Sequence, residues 1–550
     1  MSSFGPVFQP AANARTMVTF EVLEGYLFEL RRNLPVFFVV LGFMLVNNKN
    51  HAKQMKCFLL LVLVAISWHS IDASPEAEFS DGIKLNGVEP HSEKPNIILL
   101  LSDDQSWNGL SLAMHPQIGW SKSRVIETPN IEKLASEGMR FSAAYAPASV
   151  CAPTRVSIQT GKSPAALHWT KASGPEYGHK MIEPLNVRNI SHEETTIGEQ
   201  LRDAGYATAH FGKWHLNGGG PNQNGYDVGD GDIGNEYAHQ YADPNPADLF
   251  GMTRRAISFM ENRKVDKKPF FMQMSWHALH APQNAMKATL TKYAERLNRS
   301  VDDKRVGSAA ISENLDTAVG LLMESIDRLG FRNNTFVVYM SDNGAGGGGK
   351  GDNQGIRDRL AGGKGGVWEG GIRCPFIIRG PGIPADSWCH TRIVGYDLFP
   401  TFCAWAGIPA EKLPKGLEGG SIQELLDDGL GKVYRSREEL IFHFPHYQGG
   451  DGPHSALFLD HYKLIKFYED NRLALFDIDQ DIVERHNLFQ QFPVKARELE
   501  GRLDNYLNEI DAQMAVPNPQ YDPENAVNSA KSREGRSRAI KSKRNQAQSR

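Results

Sequence analysis

The sequence predicts an α/β fold: a large mixed, mostly parallel sheet sandwiched by helices, with a smaller C-terminal α+β subdomain. Three observations carry this expectation. Residues 96–101 read Asn-Ile-Ile-Leu-Leu-Leu and run into Ser102-Asp103-Asp104. A continuous apolar run of this kind suits a strand buried on both faces, as in a parallel sheet. A second run, 335–340, ends in Ser341-Asp342-Asn343-Gly344. Helical patterns lie between them, at 129–137, 196–204 and 312–329, the last with Leu315, Val319, Leu322 and Ile326 at helical spacing. Strands alternating with helices make an α/β sandwich.

Taken in chain order, the 550 residues exceed one ordinary core and imply two to four domains. Two apolar runs come first. One spans 34–46 after Arg31-Arg32, the other 57–66 after Lys53 and Lys56. Each is shorter than the roughly 20 residues that cross a bilayer. The second reads as a signal peptide over 55–73, which makes 1–54 a mis-assigned start or an N-terminal extension. Export to a secreted or periplasmic location follows, with no stable membrane insertion. An anchor built from 34–66 is the alternative. A large α/β domain is expected over 95–390. From about Arg392 the texture changes: 462–467 and 473–478 read as two short strands around an Asp470-Asn471 turn, and a helix follows at 494–510. A subdomain with a small antiparallel sheet is expected over 391–512. Residues 516–550 lose apolar periodicity, are rich in Lys, Arg, Ser, Asn and Gln, and read as a disordered basic tail. There is no internal repeat.

Composition narrows the chemistry. The net charge of −4 argues against a globally polyanion-binding surface, and nucleic acid is not an expected partner. Five cysteines without a C-x-x-C pair argue against a zinc knuckle or a thioredoxin-like motif. Among Cys374, Cys389 and Cys403, one disulfide and one free thiol are expected. The acid pairs Asp103-Asp104 and Asp342-Asn343 offer three carboxylates and an amide carbonyl at two strand ends. These are hard oxygen donors, which suit Ca²⁺ or Mg²⁺ better than Zn²⁺. Open α/β sheets bind ligands at that carboxyl edge, and carboxylates packed so closely repel one another unless a cation intervenes.

Residues 151–161 read Cys-Ala-Pro-Thr-Arg-Val-Ser-Ile-Gln-Thr-Gly. The segment resembles the sulfatase signature C-x-P-x-R followed by T-G: Cys151, Pro153, Arg155, Thr160 and Gly161 match, and Lys162 supplies the basic residue that follows. Gly212-Lys213-Trp214-His215 resembles the family's G-K-W-H segment. Residues 275–282, Ser-Trp-His-Ala-Leu-His-Ala-Pro, resemble its strand ending in a histidine just before x-P. The spacing to Pro282 selects His280, with His277 as rival. Residues 362–371 resemble G-G-K-G-x-x-W-E-G-G, with Lys364 as its lysine. The resemblance runs from about Pro95 to Ile510. The glycines 346–349 and an insert at 352–360 depart from the pattern and put the substrate loops in doubt.

This resemblance implies a sulfuric ester hydrolase, arylsulfatase-like, acting on sulfate monoesters of a sulfated carbohydrate or small molecule. It implies that a maturation enzyme converts Cys151 to formylglycine. It implies Ca²⁺, with Mg²⁺ less favoured, held by Asp103, Asp104, Asp342, Asn343 and the converted residue 151. His280 with Lys364 would protonate the leaving alcohol, His215 would take a proton from the second hydroxyl of the hydrated aldehyde, and Arg155 and Lys213 would hold the diol and the carboxylates. Two rival readings stand beside it: a phosphonate or phosphate ester hydrolase of the same superfamily, and a non-catalytic sulfated-glycan binder with Cys151 unconverted. His443, His446 and Tyr447 read equally as pocket residues of the smaller subdomain and as ordinary strand aromatics.

Overall fold

The structure, a computed structural model, describes residues 94–346 and 359–525. The extension 1–54, the signal segment 55–73, the alternative anchor 34–66, the tail from 526 and the loop 347–358 lie outside the described residues.

Eight strands build the large sheet: β1 (Asn96–Ser102), β2 (Met139–Phe141), β5 (Ala207–Gly212), β6 (Val228–Gly229), β7 (Phe270–Ser275), β8 (Thr335–Ser341), β9 (Phe376–Arg379) and β10 (Ser387–Cys389). Two strand pairs flank it, β3 (Ala144–Tyr145) with β11 (Ile393–Val394), and β4 (Met181–Ile182) with β16 (Val516–Pro517). Across the large sheet the order is β10-β2-β9-β8-β1-β7-β5-β6. β1 runs parallel to β7 and β8, β5 parallel to β6 and β7, and β10 parallel to β2. Only β9 among these is antiparallel to its neighbours. The mostly parallel sheet expected from two apolar runs is therefore present, with β1 at its heart.

The apolar continuity of β1 has a direct cause. Ile98 and Leu100 point into one core, Ile97, Leu99 and Leu101 into the other, so no position faces water. Helices Pro129–Ser136, Leu249–Asp266, Lys287–Leu297 and Lys304–Arg328 cover the first face; Cys151–Thr160, Ile197–Asp203 and Leu398–Trp405 cover the second. The helix expected at 312–329 begins earlier, at Lys304, where the side chain of Asp303 accepts the N–H of Arg305. Its first turns carry Gly307, Ser308, Ala309 and Ala310, small residues that give little periodic signal yet let it pack closely on Leu249–Asp266 and Lys287–Leu297.

The smaller sheet is antiparallel, in the order β12 (Leu440–Phe444), β13 (His454–Leu459), β14 (Tyr462–Phe467) and β15 (Leu473–Asp477). One face buries Leu457, Leu464 and Leu475 against Leu499 and Leu503 of helix Pro493–Glu509. The other buries Phe442, Phe458, Phe467 and Phe476 against Tyr145, Val150 and Val367, which joins it to the segment just before Cys151. The change of texture near 391 is not a change of core: Leu398, Phe399, Phe402 and Leu425 pack with the large sheet, and the small sheet starts only at Leu440.

Two expectations need correction. Residues 516–525, assigned to a disordered tail, are structured: β16 pairs with β4, and Asn518 donates its amide to the carbonyl of His179 at 2.8 Å. Backbone pairing needs no apolar period, so the sequence pattern was silent. The expected disulfide is absent, because Cys374, Cys389 and Cys403 are all free and buried as small apolar side chains. Among the described residues no helix is long and apolar enough to cross a membrane.

Candidate active site

Register decides which side chains meet at the sheet edge. Ser102 of β1 lies opposite Ser341 of β8, Leu101 opposite Ser275 of β7, and Gly212 of β5 opposite the same Ser275. The chain leaving each strand thus emerges beside its neighbours. The N–H of Asp342 donates to Ser102 at 3.0 Å and that of Lys213 to Ser275 at 2.8 Å, which carries the alignment one residue past the strands. Gly212 permits the convergence: its φ is +95°, and a Cβ there would come 2.1 Å from the carbonyl oxygen of Ser275.

The helix Cys151–Thr160 points its first residue at this edge. All ten of its residues are buried, Pro153 is accommodated in the first turn, and Gly161 ends the helix in the left-handed conformation. Sγ of Cys151 lies 3.2 Å from Oδ1 of Asp103. Nζ of Lys364 donates to Oδ1 of Asp104 at 2.5 Å and lies 3.3 Å from the same Sγ. Arg155 donates to Oδ2 of Asp342 through Nε at 3.0 Å and Nη2 at 2.7 Å, and through Nη1 to the carbonyl of Lys213 at 2.7 Å. Nζ of Lys213 donates to Oδ2 of Asp103 at 2.6 Å. Nδ2 of Asn343 donates to Oδ1 of Asp104 at 2.7 Å. Lys364 reaches the cluster on a rigid segment: Gly371 packs against the carbonyl of Gly366, where a Cβ would come within 1.9 Å. Glycine here serves contact between backbones.

The histidines complete the arrangement. Ligand atoms of Asp103, Cys151 and His280 lie within 4.8 Å of one another. Nδ1 of His280 sits 2.8 Å from the carbonyl of Ala281, an acceptor only, so Nδ1 carries a proton and Nε2 is the free position. His277, the rival, is more deeply buried, and its ring stands edge-on to that of His280 at 5.2 Å. His215 is half-buried, with its Nδ1 enclosed and unpartnered, in a left-handed backbone conformation of φ 61°. His443 and His446 have both ring nitrogens occupied, by Ser455 and the carbonyl of Gln513, and by Glu183 and Thr170. They brace the smaller sheet rather than face the cluster. Sequence reasoning missed Glu236, a half-buried acid from an irregular turn whose carboxyl accepts the backbone N–H of His215.

Charge is concentrated here. Burial opposes ionisation of Asp103, yet Lys213, His280, Arg155 and Lys364 together hold its carboxyl well below the usual range. Burial, then the neighbouring Asp103, push the carboxyl of Asp342 up. Burial and both aspartates push the Cys151 thiol well up, so as encoded it is a thiol and not a thiolate. The carboxylates of Asp104 and Asp103 keep Lys364 protonated in spite of burial. Burial, helped by Lys213 and Arg155, lowers His215 to about 2, which leaves it neutral.

A hard divalent cation fits this donor set. Oxygens of Asp103, Asp104 and Asp342 lie with Sγ of Cys151 inside one 4.8 Å group, and Oδ1 of Asn343 is buried without a hydrogen-bond partner. A buried carbonyl oxygen without a donor is costly unless something positive meets it. Sγ is the one soft atom in the set, and an oxygen at that position would make the set uniformly hard.

Comparison with known proteins agrees with this geometry. The family model described as Sulfatase matches residues 95–408, and that of the N-sulphoglucosamine sulphohydrolase C-terminal region matches 363–513. The ulvan-active sulfatase of Formosa agariphila is 27% identical over 466 residues, covering 78% of this chain and 84% of the relative. Arylsulfatase A of Homo sapiens is 30% identical over 393 residues, covering 64% of this chain and 71% of the relative. The crystal structure of Ps i-CgsB in complex with k-i-k-neocarrahexaose shares the fold at a TM-score of 0.61, with 22% identity, over 79% of this chain and 97% of that one.

Proposed function

The chain belongs to the sulfatase family and is a hydrolase of sulfate esters, and from that premise we propose that it is a Ca²⁺-dependent exported enzyme whose nucleophile is a formylglycine made from Cys151 and whose substrate is a sulfated carbohydrate. One observation carries the reading: Cys151, at the head of a buried helix, contacts both Asp103 and Lys364, inside a ring of acids and cations. The name of one relative, for ulvan, and that of one matching family model, for N-sulphoglucosamine, support a carbohydrate substrate. Residues 95–390 would carry the chemistry and 391–512 would brace it.

Asp103, Asp104, Asp342 and Asn343, with the converted residue 151, would hold the cation. When bound, it would polarise the sulfuryl oxygens and lower the pKa of the attacking hydroxyl. The remaining work falls to the chain itself. Three carboxylates face three fixed cations, Arg155, Lys213 and Lys364. A divalent cation added to that balanced set leaves two positive charges, which meet the sulfate anion and the charge that develops on the leaving oxygen. Hydrated formylglycine offers two hydroxyls on one carbon. The first would give up its proton to a neighbouring carboxylate such as Asp342 and form the bond to sulfur while the ester S–O bond breaks; His280, as its imidazolium with Nε2 protonated and with Lys364 beside it, would deliver a proton to the departing alcohol. His215, neutral at working pH, then takes the proton of the second hydroxyl, so that the C–O bond to sulfate breaks and the carbonyl re-forms. Ser or unconverted Cys at position 151 lacks that second hydroxyl and would stop at the first half.

Two measurements test this. Protein made alongside a formylglycine-generating enzyme is digested and the peptide spanning 150–155 is weighed; an aldehyde mass is expected, and a thiol mass throughout would overturn the nucleophile. Parallel assays with an aryl sulfate and an aryl phosphonate then separate the superfamily rival: a larger kcat/KM for the phosphonate would overturn the sulfatase specificity.

A further inference from the structure

One edge of the site is made of aromatic rings that the proposed chemistry does not use. The turn Glu236–Gln240 is fixed at both sides to segments that bear reacting groups. Just before it, the carbonyl of Gly234 accepts the N–H of Trp214 at 3.2 Å, next to His215. Behind it, Nδ2 of Asn284 donates to the carbonyl of His239 at 2.5 Å, tying the turn to the loop that follows His280. From His280 the rings then run outward in rank. His280 to His277 is 5.2 Å between centroids, His277 to His239 is 5.1 Å, and His239 to Tyr237 is 6.4 Å. His280 is half-buried at the start of the rank; from His277 outward burial falls, with His277 buried, His239 half-buried and Tyr237 58% exposed. A lone exposed tyrosine is ordinary surface and needs no explanation. A rank of rings that starts at the reacting centre and ends in water, on a turn anchored at both sides, is a built edge.

We propose that this edge is a distal sugar subsite, in which Tyr237 stacks on the apolar face of a pyranose one or two units removed from the sulfated sugar. The inference rests on the sulfatase reading above and deepens it: the preferred substrate is an oligosaccharide or longer chain rather than a free monosaccharide. A pyranose has an apolar C–H face and a polar rim. A tyrosine matches it with a flat, rigid face and a hydroxyl that stays in water, at small cost in side-chain entropy. Tyr237 stands three rings out from His280, which puts it beyond the sulfated unit. The turn itself carries no alternative means of holding a sulfated chain. Residues 233–241 read Ile-Gly-Asn-Glu-Tyr-Ala-His-Gln-Tyr, with no lysine or arginine. The distal unit is therefore recognised by its face and not by its charge.

The test uses the full chain, matured in the producing cell. Sulfated monosaccharides and the matching tetrasaccharides of ulvan, carrageenan and chondroitin sulfate are assayed beside an aryl sulfate. Wild type is expected to favour at least one tetrasaccharide over its monosaccharide by tenfold or more in kcat/KM, with little dependence of that ratio on salt. Tyr237→Ala is expected to remove most of the ratio through KM, with kcat and aryl sulfate hydrolysis unchanged, and Tyr237→Trp to keep it. Tyr434→Ala serves as control. That tyrosine is exposed beyond the far end of the Cys151–Thr160 helix, where its backbone packs against Gly420. Absence of any size preference in wild type, a preference untouched by Tyr237→Ala, or a preference that collapses with added salt would each overturn the subsite. Failure of the sulfatase reading looks different: no hydrolysis of the aryl sulfate by wild type.

Discussion

The molecule contains two buried clusters of charge, and they are built to opposite ends. The first is the ring around Cys151. The second lies a few residues beyond Lys364, where Glu369 accepts from Arg373 at 2.6 Å, from Tyr145 at 3.1 Å and from Lys463 at 2.9 Å. There the backbone N–H of Glu369 donates to Glu484 at 2.8 Å, and Lys463 lies 2.7 Å from the other oxygen of Glu484. Each charge in that second cluster lies against an opposite charge, Oε1 of Glu484 through an ion pair with Lys463 and no hydrogen bond, and the cluster clamps the small sheet to the Lys364 segment. The first cluster is deliberately incomplete: Oδ1 of Asn343 and Nδ1 of His215 are buried without partners. Buried charge alone therefore does not mark an active site. In the first cluster the atoms left over have no ion pair either, which is the room a cation or a reactant needs.

That contrast can be broken by four measurements. The largest effect is expected at residue 151. Cys151→Ala should lower kcat/KM for an aryl sulfate by more than about 10³-fold, the scale on which loss of a nucleophile acts, while the melting temperature holds or rises because crowded charges lose a neighbour. Retained activity would remove Cys151 from the chemistry. In the answered cluster the signs reverse: Lys463→Met leaves two facing carboxylates without their cation and should cost about 3–5 kcal/mol in urea unfolding, with kcat of the folded fraction nearly unchanged. A stable Lys463→Met protein would mean that the clamp does not hold. Next comes the orphan oxygen. Asn343→Ala should weaken Ca²⁺ binding by roughly 10–100-fold, as loss of a group at a metal site does, read as a smaller rise of melting temperature on adding Ca²⁺; equal rises in both proteins would exclude Asn343 as a ligand. The smallest effect is a slope. Burial and the neighbouring Glu369 push Glu484 up to about 7 from an ordinary 4.5. A carboxyl whose folded pKa is raised contributes stability that is fully present below 4.5 and is lost as pH rises through 7. The stability of wild type relative to Glu484→Gln should fall over that window, and a flat difference would contradict the upward shift of Glu484.

Much of this arrangement was legible in the sequence, for physical reasons that differ by residue. Asp103 and Asp342 could be placed together because parallel strands buried on both faces read as unbroken apolar runs, and residues just past such runs share an edge. Lys213 and Lys364 carried recognisable neighbours. Other parts left no periodic trace. Glu236, His239 and Tyr237 come from an irregular turn, so nothing in their spacing told of a shared edge with His280. The helix Lys304–Arg328 is buried along most of its length, which blurs the stripe that marks a surface helix. His443 and His446 read equally as pocket residues and as strand aromatics, because imidazole is chemically versatile; only their partners, Ser455 and Glu183, reveal a bracing role. The orphan oxygen of Asn343 is a property of three-dimensional closure and has no signature in one dimension.

The burial of the helix that begins at Cys151 also sets a clock. Cys151 is 2% exposed, and its helix is enclosed by strands that come much later in the chain, with 187 residues separating Arg155 from its partner Asp342. A modifying enzyme cannot reach that side chain once the sheet has closed. On the proposed reading, conversion must precede closure, during the interval in which β8 has not yet been made. At ordinary synthesis rates of 5–20 residues per second that interval lasts about 10–40 s. Chemical maturation and folding thus compete for the same thiol. A mutation that hastens or delays docking of β8 would change the fraction of active molecules without touching a single group that meets the substrate.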